Sequence, residues 1–272
     1  MGDDKVRNQI NIFGTWLDNV GSEEAFEFCL SPAAERDASV LTGFPSLHPI
    51  FSSRVYPDYA GLYEDFDLVL NDGRNIARIA RLLGERFREK RIAGMDFLPE
   101  FVRRAGREGA SLFVICGSEV TRDRLVEWLP SASCKREQLV GTWVPPFLKS
   151  VSLDDLRGVI EYIEKTQPDI VIVGIASPKQ ERIGALLKKH CSGNMSIVCV
   201  GGALETAVGA IPIGPQWIRD LGLESFYRFS REPKRLFKRY LVFNLLIFPF
   251  GIGAVFSRFF RDEKFGRTRV RE

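Results

Sequence analysis

The sequence predicts an α/β protein built on a doubly wound, mostly parallel β-sheet. One observation is that short β-branched or apolar runs alternate with longer helical stretches along most of the chain. A second is that several short runs are apolar at almost every position, as strands covered on both faces are. Strands and helices that alternate in this way form parallel sheets with helices packed on their faces.

The alternating segments lie within residues 1–211, which we predict to be the catalytic domain. The predicted strands are residues 10–13, 39–41, 67–70, 111–116, 169–175 and 196–201. The predicted helices are residues 22–30, 76–83, 97–108, 121–129, 153–165 and 179–190. Local signals mark several helix starts: Ser22 precedes two glutamates, Ser152 and Asp155 form a capping-box pattern, and Pro178 precedes Lys179.

Composition excludes several classes of protein. Hydrophobic residues make up 45% of the chain and charged residues 27%, which is ordinary for a globular protein. The five cysteines form no C-x-x-C pair, and the two histidines give no zinc-binding spacing, so we expect no metal and a reducing, cytoplasmic compartment. The first residues are polar and do not resemble a signal peptide. A Walker loop and a G-x-G-x-x-G fingerprint are both missing, which disfavours kinases, ATPases and dehydrogenases.

Residues 212–272 differ in character and are predicted to form a basic and apolar, helical C-terminal appendage. From Ser230 onward the chain has eleven Lys or Arg and four Asp or Glu, a net charge of +7, so the rest carries −4. Residues 241–257 are uncharged but shorter than the ~20 apolar residues of a spanning helix. The segment fits either an interfacial contact with an anionic membrane or a buried helix with a basic rim, and we favour the membrane.

Polar and glycine-rich loops follow the predicted strands. In open α/β sheets, ligands bind beyond the carboxyl ends of the strands, so these loops are where we expect the site. Each loop also has an ordinary interpretation, because Asn-Asp-Gly and Gly-Gly are common turn sequences. Asp65 and Asp67 resemble a D-x-D metal motif, but Asp67 opens its strand and lies at the wrong edge. The loops are Thr42-Gly43, Asn71-Asp72-Gly73, Gly117-Ser118, Ser177-Pro178-Lys179-Gln180-Glu181 and Gly201-Gly202.

These motifs, taken in order, resemble the WecG/TagA/CpsF family of bacterial glycosyltransferases. The resemblance covers residues 10–240 and is most specific at Pro178-Lys179-Gln180-Glu181 and in the tail. Its remaining parts are Arg91-Ile92-Ala93-Gly94-Met95-Asp96, Gly201-Gly202-Ala203, Tyr227-Arg228-Phe229, Glu232-Pro233-Lys234-Arg235 and Arg239-Tyr240. It implies a Rossmann-like fold and inverting transfer from a UDP-sugar to an undecaprenyl-diphosphate-linked acceptor in surface polysaccharide synthesis. The sugar would be of the N-acetylmannosamine, uronic or hexose type.

The resemblance also implies roles for individual residues. Asp72 matches the family's general base, with Thr42 and Arg91 as further catalytic residues. A nucleotide would lie near Gln180 and Glu181, with Ser177, Gly201 and Gly202 beside it. Arg228 and Arg235 would reach the diphosphate, although contact with lipid or solvent explains them equally well. Departures from the family pattern mark a divergent member, with Asn75 for a glycine and Leu204-Glu205 for Phe-Asp.

Because the sequence offers no credible metal site, we expect a metal-independent enzyme without a cofactor, in which Asp72 deprotonates the acceptor hydroxyl and arginines stabilise the departing UDP. The enzyme would be bound peripherally to the inner face of the cell membrane and would bind no nucleic acid. Self-association is left open. Two rival functions also stay open: a nucleotide-binding oxidoreductase, and a non-catalytic adaptor that binds a nucleotide or the membrane within a polysaccharide assembly complex.

Overall fold

The computed structural model describes residues 7–31, 38–54 and 56–212, together with the backbone of residues 268–271. The strands are β1 (Arg7–Ile12), β2 (Thr15–Asp18), β3 (Val40–Gly43), β4 (Leu68–Val69), β5 (Leu112–Cys116), β6 (Leu139–Trp143), β7 (Ile170–Gly174), β8 (Ser196–Cys199) and β9 (Thr268–Arg271). The helices are α1 (Ser22–Leu30), α2 (Leu47–Ser52), α3 (Arg74–Leu82), α4 (Gly94–Glu108), α5 (Glu119–Trp128), α6 (Leu153–Thr166), α7 (Lys179–His190) and α8 (Ala203–Ala207). Short 3₁₀ turns occupy Pro57–Tyr59, Leu129–Ala132 and Arg136–Gln138.

The centre of the fold is a six-stranded sheet with the strand order β4-β3-β8-β7-β5-β6, in which every pairing is parallel. Every residue of β5, β7 and β8 is buried, because helices cover both faces of the sheet. Helices α1, α4, α5 and α8 pack on one face, and α2, α3, α6 and α7 pack on the other. The predicted Rossmann-like, doubly wound fold is therefore confirmed.

The first predicted strand does not join this sheet, contrary to expectation. Instead β1 pairs antiparallel with β2 and with β9, in a separate three-stranded sheet. Phe13 and Gly14 form the connecting turn with φ values of 50° and 86°. The side-chain oxygen of Asn11 accepts a hydrogen bond of 2.9 Å from the Gly14 backbone N–H and closes this turn. The sequence signal is weak because a Phe-Gly turn lacks the usual Asn or Asp before glycine.

The end of β3 and several smaller elements also differ from the prediction. Thr42 and Gly43 lie inside β3, where they pair with β4 and β8, so the loop after this strand begins at Phe44. Strand β6 and helices α2 and α8 were not predicted. Strand β6 is half-buried throughout and contains Gly141, whereas α2 and α8 are too short to show a helical period.

Carboxylates near the amino-terminal end of the sheet hold the strands together. Asp18 is buried at the end of the hairpin, and its carboxylate accepts hydrogen bonds from the Val69 backbone N–H at 2.7 Å and the Gln9 amide at 3.0 Å. Asp67 accepts from the Leu41 backbone N–H at 2.7 Å and pairs with Lys188 at 2.7 Å. Asp67 immediately precedes β4, which confirms that it lies at the edge opposite the strand carboxyl ends.

Most of the predicted appendage, including Arg228, Arg235 and residues 241–257, lies outside the described residues. The backbone of residues 268–271 is described, and it forms strand β9 and not part of a helix as predicted; its pairing with β1 joins it to the N-terminal hairpin. Among the helices of the described ranges, none has both the length and the apolar character needed to cross a membrane.

We predict opposite effects on stability for two helical glycines that are changed to alanine. A Cβ at Gly184 in α7 would lie 2.7 Å from Leu41 Cδ1 and 2.8 Å from Cys199 Sγ, so Gly184→Ala should lower the free energy of unfolding by about 1–3 kcal/mol. A Cβ at Gly158 in α6 meets nothing within 4 Å, so Gly158→Ala should raise it by about 0.5–1 kcal/mol. Urea denaturation of both variants measures the two effects; a stabilising Gly184→Ala would contradict the close packing of α7.

Candidate active site

The loop after β4 is held in place by the side chain and backbone of Asn71. Its amide donates to the Lys90 carbonyl at 3.1 Å, and its side-chain oxygen accepts from the Gly73 backbone N–H at 3.1 Å. The Ile92 backbone N–H donates to the Asn71 carbonyl at 2.9 Å. Asp72 therefore lies on a fixed turn at the carboxyl end of the sheet, as predicted.

The same hydrogen bonds bring the segment that carries Arg91 beside the segment that carries Asp72. Arg91 is mostly buried, and its guanidinium lies 3.8 Å from the Asp96 carboxylate in the first turn of α4. The start of this helix packs into the strand edge, since a Cβ at Gly94 would lie 3.5 Å from the Val200 carbonyl and 3.6 Å from Phe44. Two of the three predicted catalytic residues thus share one corner of the carboxyl-end edge.

Thr42, the third predicted catalytic residue, is placed differently. Its side chain is 0% exposed, and its hydroxyl lies 3.3 Å from the Cys29 thiol of α1. Because Thr42 is inside β3 and not in the loop, its side chain points into the packed face of the sheet. The structure does not bring this hydroxyl together with Asp72 and Arg91 at the edge.

The loop after β7 brings three predicted nucleotide-binding residues into one buried polar cluster with Tyr63. Gln180 and Glu181 open α7 and are 7% and 1% exposed. The Gln180 amide donates to Glu181 Oε1 at 3.0 Å, and the Tyr63 hydroxyl donates to the same oxygen at 2.9 Å. The Ser177 hydroxyl lies beside Tyr63 and Glu181. We refer to Tyr63, Ser177, Gln180 and Glu181 as the polar cluster.

The polar cluster combines burial with incomplete hydrogen bonding. Glu181 Oε2 and Gln180 Oε1 are buried and have no hydrogen-bond partner among the described residues. Burial raises the pKa of Glu181, although hydrogen bonds from its own backbone and from the side chains of Tyr63, Gln180 and Ser177 partly offset the rise. Burial likewise raises the pKa of Tyr63 well above its ordinary value, and the neighbouring Glu181 carboxylate raises it further. Buried polar atoms without partners are costly, and this cost makes the polar cluster a candidate ligand-binding site.

The Gly201–Gly202 turn lies directly beside the polar cluster. Gly201 has a φ of 55°, a conformation that favours glycine, and a Cβ there would lie 3.3 Å from the Gln180 amide. Gly202 caps the start of α8. Helices α7 and α8, which follow the neighbouring strands β7 and β8, pack on opposite faces of the sheet. Neighbouring strands whose helices diverge in this way leave a crevice at the sheet edge, where α/β proteins bind ligands.

Leu204 and Glu205, the two residues at the start of α8 that depart from the family pattern, have different surroundings. Leu204 is buried, and its Cδ2 lies 2.2 Å from where a Cβ on Gly174 would be, so it fills the space over β7. The Glu205 carboxylate lies 3.1 Å from the corresponding Cβ position of Gly117, at the end of β5. The leucine is thus part of the core, whereas the glutamate borders the edge that carries the site.

Sequence reasoning missed Tyr63 and Phe147 at this edge. Tyr63 lies in an irregular segment 118 residues before Glu181, and no periodic pattern places it there. Phe147 follows β6, is 87% exposed, and has the Lys179 ammonium 5.0 Å from its ring centroid. The only sequence signal for Phe147 is an aromatic residue after two prolines, which becomes informative once β6 is known to be a strand of the sheet. Across the described ranges, no group of three or more His, Cys, Asp or Glu is arranged to hold a metal ion.

We predict that Glu181→Gln changes the pH dependence of stability. An exposed glutamate titrates near pH 4.5, and the pKa of Glu181 is raised above this value in the folded protein. Between these two pKa values the folded protein retains a proton that the unfolded chain releases, so wild-type stability falls as pH rises through this window. The free energy of unfolding of Glu181→Gln minus that of the wild type should therefore increase by up to about 1.4 kcal/mol per pH unit within this window.

Urea denaturation at a series of pH values from about 4.5 upward measures this difference. Asp154→Asn, at an exposed position in α6, is the control and should show a nearly constant difference from the wild type. A constant difference for Glu181→Gln as well would show that the carboxyl group is not held in its neutral form.

A comparison with models of protein families agrees with the fold. Residues 10–261 match the glycosyl transferase WecG/TagA/CpsF family, which is nearly the whole chain. The match includes the Asp72 turn, the segment that carries Arg91, the polar cluster and the Gly201–Gly202 turn. The protein is therefore a member of the WecG/TagA/CpsF family of glycosyltransferases, enzymes of polysaccharide biosynthesis.

Proposed function

We propose that the protein is an inverting, metal-independent glycosyltransferase that moves a sugar from a UDP-sugar to an undecaprenyl-diphosphate-linked acceptor. The observation that carries this proposal is the arrangement of the carboxyl-end edge. A buried polar cluster with partnerless oxygens lies after β7, and a fixed turn with a carboxylate lies after β4. The polar cluster and the Asp72 turn are three strand spacings apart, about 14 Å, a distance that an extended sugar nucleotide can span.

The nucleotide is assigned to the polar cluster. Ribose and base present hydroxyl, N–H and carbonyl groups that could form hydrogen bonds with Glu181 Oε2 and Gln180 Oε1, and the Gly201–Gly202 backbone leaves room for a close approach. Phe147 follows β6, which lies two strands from β7 in the sheet. Its exposed ring offers a stacking surface for the base. The donor sugar, of the N-acetylmannosamine, uronic or hexose type, then extends toward β4.

The reaction is assigned to the Asp72 turn. Inversion requires the acceptor hydroxyl to attack the anomeric carbon from the side opposite the departing UDP. The Asp72 carboxylate accepts the hydroxyl proton as the new glycosidic bond forms, and the anomeric C–O bond breaks with its electron pair passing to UDP. Arg91, beside this turn, is suited to stabilise the diphosphate charge, a role that Arg228 and Arg235 would complete from the appendage.

The acceptor lipid determines where in the cell the enzyme must be located. An undecaprenyl chain stays in the bilayer, so the acceptor diphosphate is presented at the membrane surface, and UDP-sugars are cytoplasmic. We therefore place the enzyme peripherally at the inner face of the cell membrane. The positive charge of residues 230–272 supports this location, because each Lys or Arg near an anionic leaflet contributes about 1 kcal/mol.

The direct test is a UDP-release assay over a panel of UDP-sugars, with a synthetic short-chain polyprenyl-diphosphate-linked sugar as acceptor. We expect release that requires both substrates and is unchanged by EDTA. Loss of activity in EDTA and its recovery with magnesium would contradict the metal-independent mechanism. UDP binding without release on any acceptor would instead favour the non-catalytic adaptor.

We predict that Asp72→Asn lowers turnover at least a hundredfold and leaves donor affinity nearly intact. The amide keeps the size of the side chain but cannot take the acceptor proton, which typically contributes 10²–10⁴-fold. Asp123→Asn, at an exposed position in α5, is the matched control and should retain wild-type turnover. Wild-type turnover in Asp72→Asn would remove this residue from the mechanism.

We predict that changes in the crevice between β7 and β8 weaken UDP binding. Gln180→Ala removes an amide that contacts Glu181 and lies beside Gly201, and should lower UDP affinity roughly tenfold. Gly202→Val fills the space over the turn and should abolish binding. Isothermal titration calorimetry measures both, with circular dichroism to confirm folding. Unchanged affinity in both variants would place the nucleotide elsewhere.

A further inference from the structure

The segment from Arg74 to Arg91 has a large positive charge, of which the proposed mechanism uses only Arg91. It contains seven Lys or Arg and two Asp or Glu, a net charge of +5 in eighteen residues. The whole chain carries only +3, so this segment is the second strongly basic region besides the C-terminal one. Unlike the C-terminal region, it lies entirely within the described residues.

The basic segment begins and ends at the Asp72 turn. Helix α3 starts at Arg74, two residues after Asp72, and runs away from the turn for nine residues. The chain then returns, and Lys90 and Ile92 are hydrogen-bonded to Asn71. The positive charge is therefore attached on both sides to the loop that carries the proposed catalytic base.

Most acidic groups near the segment are already engaged, and several of its cations are not. Glu89 accepts from the Ser22 backbone N–H at 2.5 Å, and Arg88 pairs with Glu24 at 2.7 Å. Arg81 and Arg86, by contrast, are exposed and form no ion pair with any carboxylate in the described part of the chain. The exposed positive charge is thus available to an anionic partner outside the protein.

The outer face of α3 also carries an exposed apolar residue among the arginines. Ile76 and Ala80 face the core, so Arg78, Arg81 and Leu82 lie on the outer face, and Leu82 is 70% exposed. The Arg78 guanidinium is held at 2.9 Å by the Asn75 side-chain oxygen, also on this face. Arginines that surround a protruding leucine match the surface of an anionic bilayer, where the cations meet lipid headgroups and the leucine enters the interface.

We propose that this basic face, formed by Arg78, Arg81, Leu82 and Arg86, contacts anionic lipid headgroups and turns the Asp72 edge toward the membrane. The inference rests on the proposed function, since only a lipid-linked acceptor gives a reason to orient that edge. Nucleic acid is the less fitting partner, because a protruding leucine gains nothing along a phosphate backbone. The basic face orients the site relative to the membrane, whereas the positively charged C-terminal region adds attraction to the anionic lipids.

The test is co-sedimentation of the full-length protein with phosphatidylcholine vesicles that contain or lack phosphatidylglycerol. The double variant Arg78→Glu and Arg81→Glu should bind anionic vesicles at least about tenfold more weakly than the wild type. The control double variant Arg136→Glu and Lys165→Glu makes the same change in net charge near β6 and α6, at the opposite edge of the sheet, and should bind much as the wild type does. Leu82→Ser, which leaves the charge unchanged, should weaken binding by a smaller factor.

Three outcomes would overturn the proposal. One is equal vesicle binding by the Arg78/Arg81 variant and the wild type. Another is an equal loss in the control, which would show that net charge alone governs binding. The third is a variant that binds vesicles normally but loses affinity for a single-stranded oligonucleotide. Circular dichroism confirms that each variant is folded, and Arg81→Gln provides a milder change if the double variant does not fold.

An activity measurement separates this inference from the proposed function. With a water-soluble short-chain acceptor, the Arg78/Arg81 variant should release UDP at the wild-type rate, because neither arginine belongs to the reacting groups. With the same sugar on a long-chain acceptor in anionic vesicles, its rate should fall along with vesicle binding. Absence of UDP release by the wild type on every acceptor would contradict the proposed function, whereas equal rates on the vesicle acceptor would contradict only the orienting role.

Discussion

The close packing of α7 onto the parallel sheet is the constraint on which the candidate site depends. Gly184 brings the helix against Leu41 of β3 and Cys199 of β8, at distances where any side chain would collide. The first turn of α7 therefore packs against the edge of the sheet, and Gln180 and Glu181 become buried there. The neighbouring Gly201 turn fits against Gln180 for the same reason. A helix held farther from the sheet would leave these groups in solvent, with ordinary pKa values and complete hydration.

Buried and half-buried carboxylates in this protein serve two distinguishable purposes. Asp18 and Asp67 each accept hydrogen bonds from backbone N–H groups, and Asp67 also pairs with Lys188, so both join elements of the scaffold. Glu181 instead has one oxygen bonded by two side chains and a second without a partner among the described residues. Because the folded protein bears the cost of this incomplete bonding, the polar cluster is better explained by ligand binding than by stability.

The distribution of charge complements the arrangement of the edge. The segment around α3 and the C-terminal region together carry +12 in a chain of net charge +3, so the remainder is strongly negative. A molecule with such separated charge has a preferred orientation near an anionic surface. The hydrogen bonds of Asn71 attach one of the two positive regions to the Asp72 turn. Catalysis and orientation at the membrane would therefore be linked through a single loop.

The sequence by itself determined the fold class, the helices α1 and α7 to the residue, and the loops that contain Asp72, Gln180 and Gly201. It could do so because apolar runs, capping residues and glycines act locally. Only the tertiary structure decided that β1 leaves the main sheet, that Thr42 faces Cys29 and that Tyr63 reaches Glu181. These outcomes depend on which distant segments pack together, and a pattern read along one stretch of chain contains no information about its partner. Burial and the cost of unmet hydrogen bonds, which reveal the polar cluster, exist only once that packing is complete.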